Sequence, residues 1–494
     1  MNAAVSAAVV AAAGLGTLRW LRVAQREHYL PGSVTRFAFR WWRLDAFNVA
    51  LAVAAVAGAA AAFAWPLPAL VTAAVVAAGP VGLGLRGRTS PLAWTARLRR
   101  VAAVTAVLLL AAGGAGVAVS PGITAAAAIA SPLLVDLALL VMAPIERRLG
   151  APWVEKAAQA LRTSGASVVA ITGSYGKTST KGYVAQLLAG RKQVLASPAS
   201  FNNRMGLARA INEHLSGHVE VFVAEMGTYG PGEIADLCSW IPPDIAVITA
   251  IGPVHLERFG SEDRIVSSKA EILEKARAAV LNVDDPRLSA LADREESARR
   301  VIRVGTSPGL DVSVVGGVLS VGGEAVGPVP ETAHPTNVAC AVGVLVALGV
   351  SPDPDRLRAL TEPEHRRTVT RGQSGVLIID DTFNSNPEGA RAALRALESA
   401  AVAGRRVVVT PGMVELGPRQ AEENRRFAAE AARVADQLVV VGRTNRRALL
   451  AGASGGKAEV RVVGTREEAV QWVRSELGPD DAVLYENDLP DHYP

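Results

Sequence analysis

Ser167–Val168–Val169–Ala170–Ile171–Thr172–Gly173–Ser174–Tyr175–Gly176–Lys177–Thr178–Ser179–Thr180 reads as a short apolar strand, a glycine turn and the start of a helix that ends near Gly190. Backbone amides of such a turn, together with the helix N-terminus, form a cradle for phosphate oxygens. Lys177 stands where its ammonium can neutralise β- and γ-phosphates, and the Thr178 hydroxyl where it can hold Mg²⁺. Gly173, Ser174, Tyr175, Gly176 and Ser179 complete the nucleotide-binding loop. The general P-loop pattern has a glycine five positions before Gly176, where this chain has Ile171, so the loop is a shorter form.

Outward from this loop, short β-branched strands alternate with amphipathic helices, the signature of an α/β fold. Val221–Ala224 runs into Glu225 and Ile245–Thr249 leads toward His255, while Lys269 follows in Ser267–Ser268–Lys269–Ala270–Glu271. A carboxylate at the C-terminal end of an apolar strand is well placed for a metal that bridges phosphates. Asn202 and Asn203 form an Asn-rich turn before that strand. His334–Pro335–Thr336–Asn337 opens an apolar helix, and residues 311–327 read as a small hairpin insertion. Further on, Val376–Ile379 ends in Asp380–Asp381–Thr382–Phe383–Asn384–Ser385–Asn386–Pro387, and strands at Val407–Thr410, Leu438–Val441, Val460–Val463 and Ala482–Tyr485 predict a Rossmann-like C-terminal domain.

These motifs, in this order, resemble the Mur ligase family over residues 150–480, whose phosphate loop has the same Gly-x-x-Gly-Lys-Thr form. Within it the chain is most similar to members that add D-Ala-D-Ala. The resemblance implies ATP and Mg²⁺ as cofactors. It gives the metal to Thr178, Glu225, His255 and Lys269, the last as a carbamate. It implies Asn337 at the adenine, Asp381 at the ribose, Asn384 in the nucleotide site, and Asn202 and Asn203 at the substrate end. Arg366, in His365–Arg366–Arg367, would reach the γ-phosphate, with Arg367 an alternative. The chain departs from the family pattern in several places, among them His334–Asn337, where only the second Asn of the usual pattern is kept, at Asn337. Ala250 stands where relatives have Asn, an Asp is missing between Gly412 and Met413, and Glu486–Asn487–Asp488–Leu489 replaces a Lys-Gly-Ser-Arg segment.

The first 150 residues are of another kind. The chain has 494 residues, half of them hydrophobic, and a mean hydropathy of +0.25, which predicts membrane segments. Residues 1–150 hold 13 Arg, no Lys and 4 acids, a net of +9, so the remainder of a +5 chain is −4. That basic excess fits an anionic membrane surface rather than nucleic acid. Five apolar stretches, Ala3–Leu18, Ala46–Trp65, Leu67–Leu85, Val101–Val119 and Ile123–Pro144, are expected as transmembrane helices. Arginines cluster in residues 19–43, 86–100 and 147–148, so the positive-inside rule puts the N-terminus outside and the catalytic part in the cytoplasm. Asp136, inside the last stretch, reads equally as a functional carboxylate or as a partner of a neighbouring helix. Two cysteines, Cys238 and Cys340, exclude a disulfide framework and a cysteine-based zinc site.

The expected organisation is thus a helical membrane domain over 1–150, an ATP-binding central domain over 151–357 and a Rossmann-like domain over 358–494. The expected activity is an ATP-dependent carboxylate–amine ligase of the inner membrane. It would work through an acyl phosphate on a UDP- or lipid-linked cell-wall precursor, with a separate amine substrate. The membrane stretches stand where the family has its UDP-gripping domain, which points to a membrane-proximal acceptor. Two other readings fit the same residues: a ligase that makes a poly-γ-glutamate-type polymer, and a scaffold or transporter subunit gated by ATP.

Overall fold

The computed structural model describes residues 1–85, 91–198, 201–361, 368–382, 385–489 and 492–493. The chain divides into two compact units, Met1–Leu149 with Leu489–Pro494, and Gly150–Asp488.

The first unit is helical: α1 (Asn2–Arg26), α2 (Ser33–Trp42), α3 (Ala46–Ala61), α4 (Ala69–Ala78), α5 (Ala96–Ala118), α6 (Pro121–Ile129) and α7, which begins here and runs over Ser131–Ser164. At 1.5 Å per residue, α1 and α5 are about 37 and 34 Å long, against a hydrocarbon core of ~30 Å. They are the two described helices long and apolar enough to cross a membrane. Up to four spans result if the bent pairs α2/α3 (112°) and α6/α7 (72°) each count as one. Of the five expected stretches, the second and third form helices shorter than a span and the fifth is bent, and proline is the physical reason. α3, with 16 residues, stops short of Pro66, while α4, with 10 residues, starts after Pro68 and ends before Gly79–Pro80. The fifth stretch breaks at Ala130, just ahead of Ser131–Pro132. A proline has no N–H to give and disfavours helix in the residue before it. Large apolar side chains such as Val53, Phe63, Val107, Leu110 and Leu140 are exposed on this unit. That is a surface suited to hydrocarbon rather than water.

Asp136 is buried in α7, and its two carboxylate oxygens accept from the Val34 and Thr35 amides at 3.2 and 2.8 Å. The first turn of α2, whose own N-cap is Gly32 without a capping side chain, is therefore capped from another helix. Of the two readings of Asp136, the structure supports the helix partner.

In the second unit a nine-stranded sheet runs in the order β2 (Val194–Ala196), β3 (Val221–Glu225), β1 (Ser167–Thr172), β4 (Ile245–Ile248), β5 (Ala278–Asn282), β6 (Arg300–Gly305), β7 (Val312–Val315), β8 (Val318–Val321), β9 (Glu324–Pro328). Pairing is parallel through β7 and antiparallel from β7 to β9, which makes residues 311–327 the expected hairpin insertion. Alternate residues of β1 serve two cores. Val168 and Ala170 pack with Leu207, Ile211 and Phe222 on one face, and Val169 and Ile171 with Tyr183, Leu187 and Val342 on the other. Covering both faces explains why the parallel strands read as continuous apolar runs. A six-stranded sheet follows, ordered β10 (Thr368–Arg371), β11 (Leu377–Asp381), β15 (Ala482–Glu486), β12 (Arg406–Thr410), β13 (Gln437–Val441), β14 (Glu459–Val463). It is parallel except for β10.

Replacing Asp136 with Ala should lower the apparent Tm of the detergent-purified protein, for a loss of about 1–2 kcal/mol as for a helix cap. Asp136→Asn should retain part of it, and an unchanged Tm for both variants would contradict the capping role.

Candidate active site

The site lies at the C-terminal ends of β1, β3 and β4. Gly176 has φ +77°, and a Cβ there would lie 2.2 Å from Asn337 Oδ1. Only glycine meets both demands. Helix α8 (Lys177–Leu188) starts directly after it. The β4 loop braces the 173–176 turn: Ser174 N donates to Ala250 O at 2.7 Å, the Ser174 hydroxyl and Gly252 amide are bonded at 3.0 Å, and the Thr249 hydroxyl donates to Tyr175 O. Lys177 Nζ donates to Gly173 O at 2.8 Å, so the ammonium folds over the turn.

Glu225 ends β3, in register with Ile171 of β1. It is buried, and its Oε2 accepts from the Thr178 hydroxyl and from Lys181 Nζ, both at 3.0 Å. Asn202 Nδ2 lies 3.5 Å from its other oxygen. Burial alone would raise its pKa, but the charges of Lys181 and Lys177 and the two hydrogen bonds outweigh that and hold the carboxyl below its ordinary value. Thr178, Glu225, Asn202 and Lys177 thus come together as expected. Asn203 does not join them. It is exposed, and its side chain caps helix Arg204–His214 by accepting from Gly206 N at 3.0 Å.

His255, with φ +58°, bonds through Nδ1 to Glu415, which has φ +65°. Left-handed backbone at two non-glycine residues in one contact is a local cost that the surroundings must hold. Arg258 donates to the other Glu415 oxygen at 2.8 Å, and the Tyr229 ring lies against both His255 and Arg258. Burial drives the His255 pKa down. The same burial would raise Glu415, yet its bonds and charge contacts with His255 and Arg258 bring it to about 2. Lys269 is buried too. Burial first, and then the Lys177 charge, push its pKa well below the ordinary value.

A cavity of about 120 Å³ is lined by Tyr175, Gly176, Ser179, Asn337, Asp381 and Glu388, among others. Its walls come from the large sheet's loops and from the β11 end of the second sheet. His334 Nε2 bonds Glu388 Oε1 at 3.0 Å across it, and that bond is the main reason the Glu388 carboxyl lies below its ordinary pKa. Arg366 and Asn384 lie outside the described residues. Among the described residues no three His, Cys, Asp or Glu side chains converge. The hydroxyl of Thr178 and the carboxylate of Glu225 nevertheless offer adjacent hard oxygen donors of the kind Mg²⁺ takes.

Two family models match this second unit: the Mur ligase middle domain over residues 171–315 and the Mur ligase, glutamate ligase domain over 365–485. Over 366 residues the chain is 34% identical to the UDP-N-acetylmuramoyl-tripeptide–D-alanyl-D-alanine ligase of Mycobacterium tuberculosis, covering 66% of this chain and 71% of that one. The chain belongs to the Mur ligase family. The Bacillus subtilis ligase of the same name is 28% identical over 269 residues, covering 52% of this chain and 58% of that one. Among solved structures, the Thermotoga maritima MurF ligase in complex with ADP superposes with a TM-score of 0.57 at 28% identity, covering 68% of this chain and 80% of that one. Mur ligases bind ATP, use Mg²⁺ and form amide bonds, and this chain is an ATP-dependent ligase of that kind.

Sequence reasoning missed several residues of this Mur ligase site. Lys181 carried a signal, since it lies one helical turn after Lys177 on α8. Glu415, Glu388 and Glu486 carried none, because their partners are 160, 54 and 101 or fewer positions away. Glu486 is fully buried, with its oxygens on the Ser385 and Thr410 hydroxyls, and burial raises its pKa to about 7 despite both bonds.

Gly176→Ala should weaken nucleotide binding at least tenfold, or about 1.4 kcal/mol, as read by calorimetric titration, and should also lower Tm, because the left-handed turn against Asn337 has no room for a Cβ. Undiminished affinity would mean that the turn does not touch nucleotide. For Glu486, the native carboxyl keeps its proton to about pH 7, whereas the ordinary value is 4.5. Stability should therefore fall as pH rises between those values and level off above them. Glu486→Gln should flatten that fall in a Tm-against-pH series; an unchanged slope would show that Glu486 does not cause it.

Proposed function

We propose that this chain is a membrane-bound Mur ligase that joins D-Ala-D-Ala, or a similar amine, to the peptide of a peptidoglycan precursor. Its relatives' names supply the reaction: a tripeptide carboxylate and the amine of D-Ala-D-Ala. The observation that carries the reading is the cluster of Lys177, Thr178, Glu225 and Lys181 at the adjoining ends of β1 and β3. Mere attachment to ATP does not need a buried carboxylate beside the phosphate-loop threonine and a buried lysine at Lys269.

In this reading residues 173–178 act as a phosphate loop. A carboxylate oxygen of the acceptor takes the γ-phosphoryl group and ADP departs. The amine nitrogen then attacks the acyl carbon, inorganic phosphate leaves, and the nitrogen loses a proton. Lys177 swings from Gly173 O to the phosphates and neutralises them, as transfer of a phosphoryl group requires. Thr178 and Glu225 would hold Mg²⁺, with His255 and Lys269 as a carbamate beside a second ion; the metal supplies charge neutralisation. Asn337 and Asp381 would bind adenine and ribose, Asn202 the acceptor end, and Arg366 the γ-phosphate. The halves 151–357 and 358 onward close on each other, and the Glu415 contacts to His255 and Arg258 are the latch that excludes water from the acyl phosphate.

The first unit supports a membrane location through α1, α5 and the exposed apolar surface. The arginines at 86–100 and 147–148, nearest the catalytic part, support a cytoplasmic position for it by the positive-inside rule. The acceptor is accordingly a lipid-linked precursor, with the UDP-linked form as the competing substrate.

Lys177→Ala should abolish amide product and ADP release while the protein stays folded. Product formation by the variant at the wild-type rate would overturn the catalytic assignment.

A further inference from the structure

The first unit contains a groove of about 530 Å³ with almost entirely apolar walls. The volume falls within the range of small-molecule pockets. Its walls come from α1, α2, α3, α4 and the bend between α6 and α7. Both bent helix pairs thus meet on it: the α2/α3 turn supplies Trp42 and Arg43, and the α6/α7 break supplies Ser131 and Leu133. Gly79 keeps one wall open for an aromatic ring, since a Cβ there would lie 2.6 Å from the Trp42 side chain. Straight, continuous helices packed side by side would close this space.

Two features identify the occupant. Several lining side chains, Phe39, Val53 and Leu133 among them, are more than half exposed, so the groove opens sideways onto the apolar surface of the unit. A chain that enters from that side is hydrocarbon. The one charged lining residue is Arg43, exposed at the α2/α3 turn. Its neighbours in sequence include Arg36 and Arg40 on α2. A guanidinium among apolar walls complements a phosphate carried on an apolar chain.

We propose that this groove seats one hydrocarbon chain of a phosphate-bearing lipid, with Arg43 taking the phosphate. The proposal rests on the membrane location argued above and extends it: the helices are a lipid-binding site, and the lipid carrier of the acceptor is the ligand they select.

The test uses the full chain in phosphatidylcholine nanodiscs doped with undecaprenyl phosphate or with uncharged undecaprenol. Lipid retention is read by native mass spectrometry. Wild type should retain the phosphate lipid over the alcohol. Ala52→Trp, which fills the groove, should cut retention of both about tenfold, and Arg43→Gln should remove the preference for phosphate while the chain is still held. ATP hydrolysis without acceptor should be unchanged in both variants. Equal retention by wild type and Ala52→Trp would overturn the site, as would a wild type indifferent to the phosphate. Should Ala52→Trp misfold, the Arg43→Gln comparison decides alone. Retention with this pattern, but ligation only of a UDP-linked acceptor, would leave the groove standing and overturn the lipid-linked substrate. Ligation of a lipid-linked acceptor unchanged in Ala52→Trp would do the reverse.

Discussion

A buried carboxylate governs the catalytic half of this protein. Glu225 lies at the end of a strand whose other residues are wholly buried, and it is tolerable there only because Lys181 and Thr178 bond to it. Removing one partner of such a pair leaves a buried charge uncompensated, which is costly. That single requirement ties α8 to β3 and aims the 173–178 turn, while Asn202 lies beside the carboxylate's other oxygen. The β4 loop then closes on the turn from the other side through Ser174, Thr249 and Gly252.

The second constraint is the contact between the large sheet's loops and the six-stranded part. His255 and Glu415 both adopt left-handed backbone where they meet, and Arg258 joins them. With His334–Glu388 and Arg419–Glu262, the latter at 2.7 Å, the two parts are joined among the described residues by polar side-chain contacts. Polar contacts of this kind are exchangeable with water, which suits the opening and closure proposed above.

Much of this was legible in the sequence. The strand–turn–helix at 167–188 and the strands ending at Glu225 and Asp381 could be read because local apolar runs and glycine placement determine them. The helical first unit was legible as apolar, but the ends of its helices were not. Hydropathy averages over prolines, while Pro66, Pro68, Pro80 and Pro132 set where each helix stops. The cap that Asn203 gives helix Arg204–His214 is a second role that its residue type alone did not separate from a substrate contact. Glu415 and Glu388 could not be found, since a carboxylate's partner across a domain contact leaves no periodicity.

Acyl-phosphate ligation is the claim on which the rest turns, and one isotope experiment tests it most directly. An acceptor whose reacting carboxylate carries heavy oxygen would be incubated with the purified chain, ATP, Mg²⁺ and D-Ala-D-Ala, and the released inorganic phosphate weighed by mass spectrometry. The account predicts one heavy oxygen in each phosphate formed with product. Amide product accompanied by unlabelled phosphate would contradict it, because the carboxylate would then never have carried the phosphoryl group.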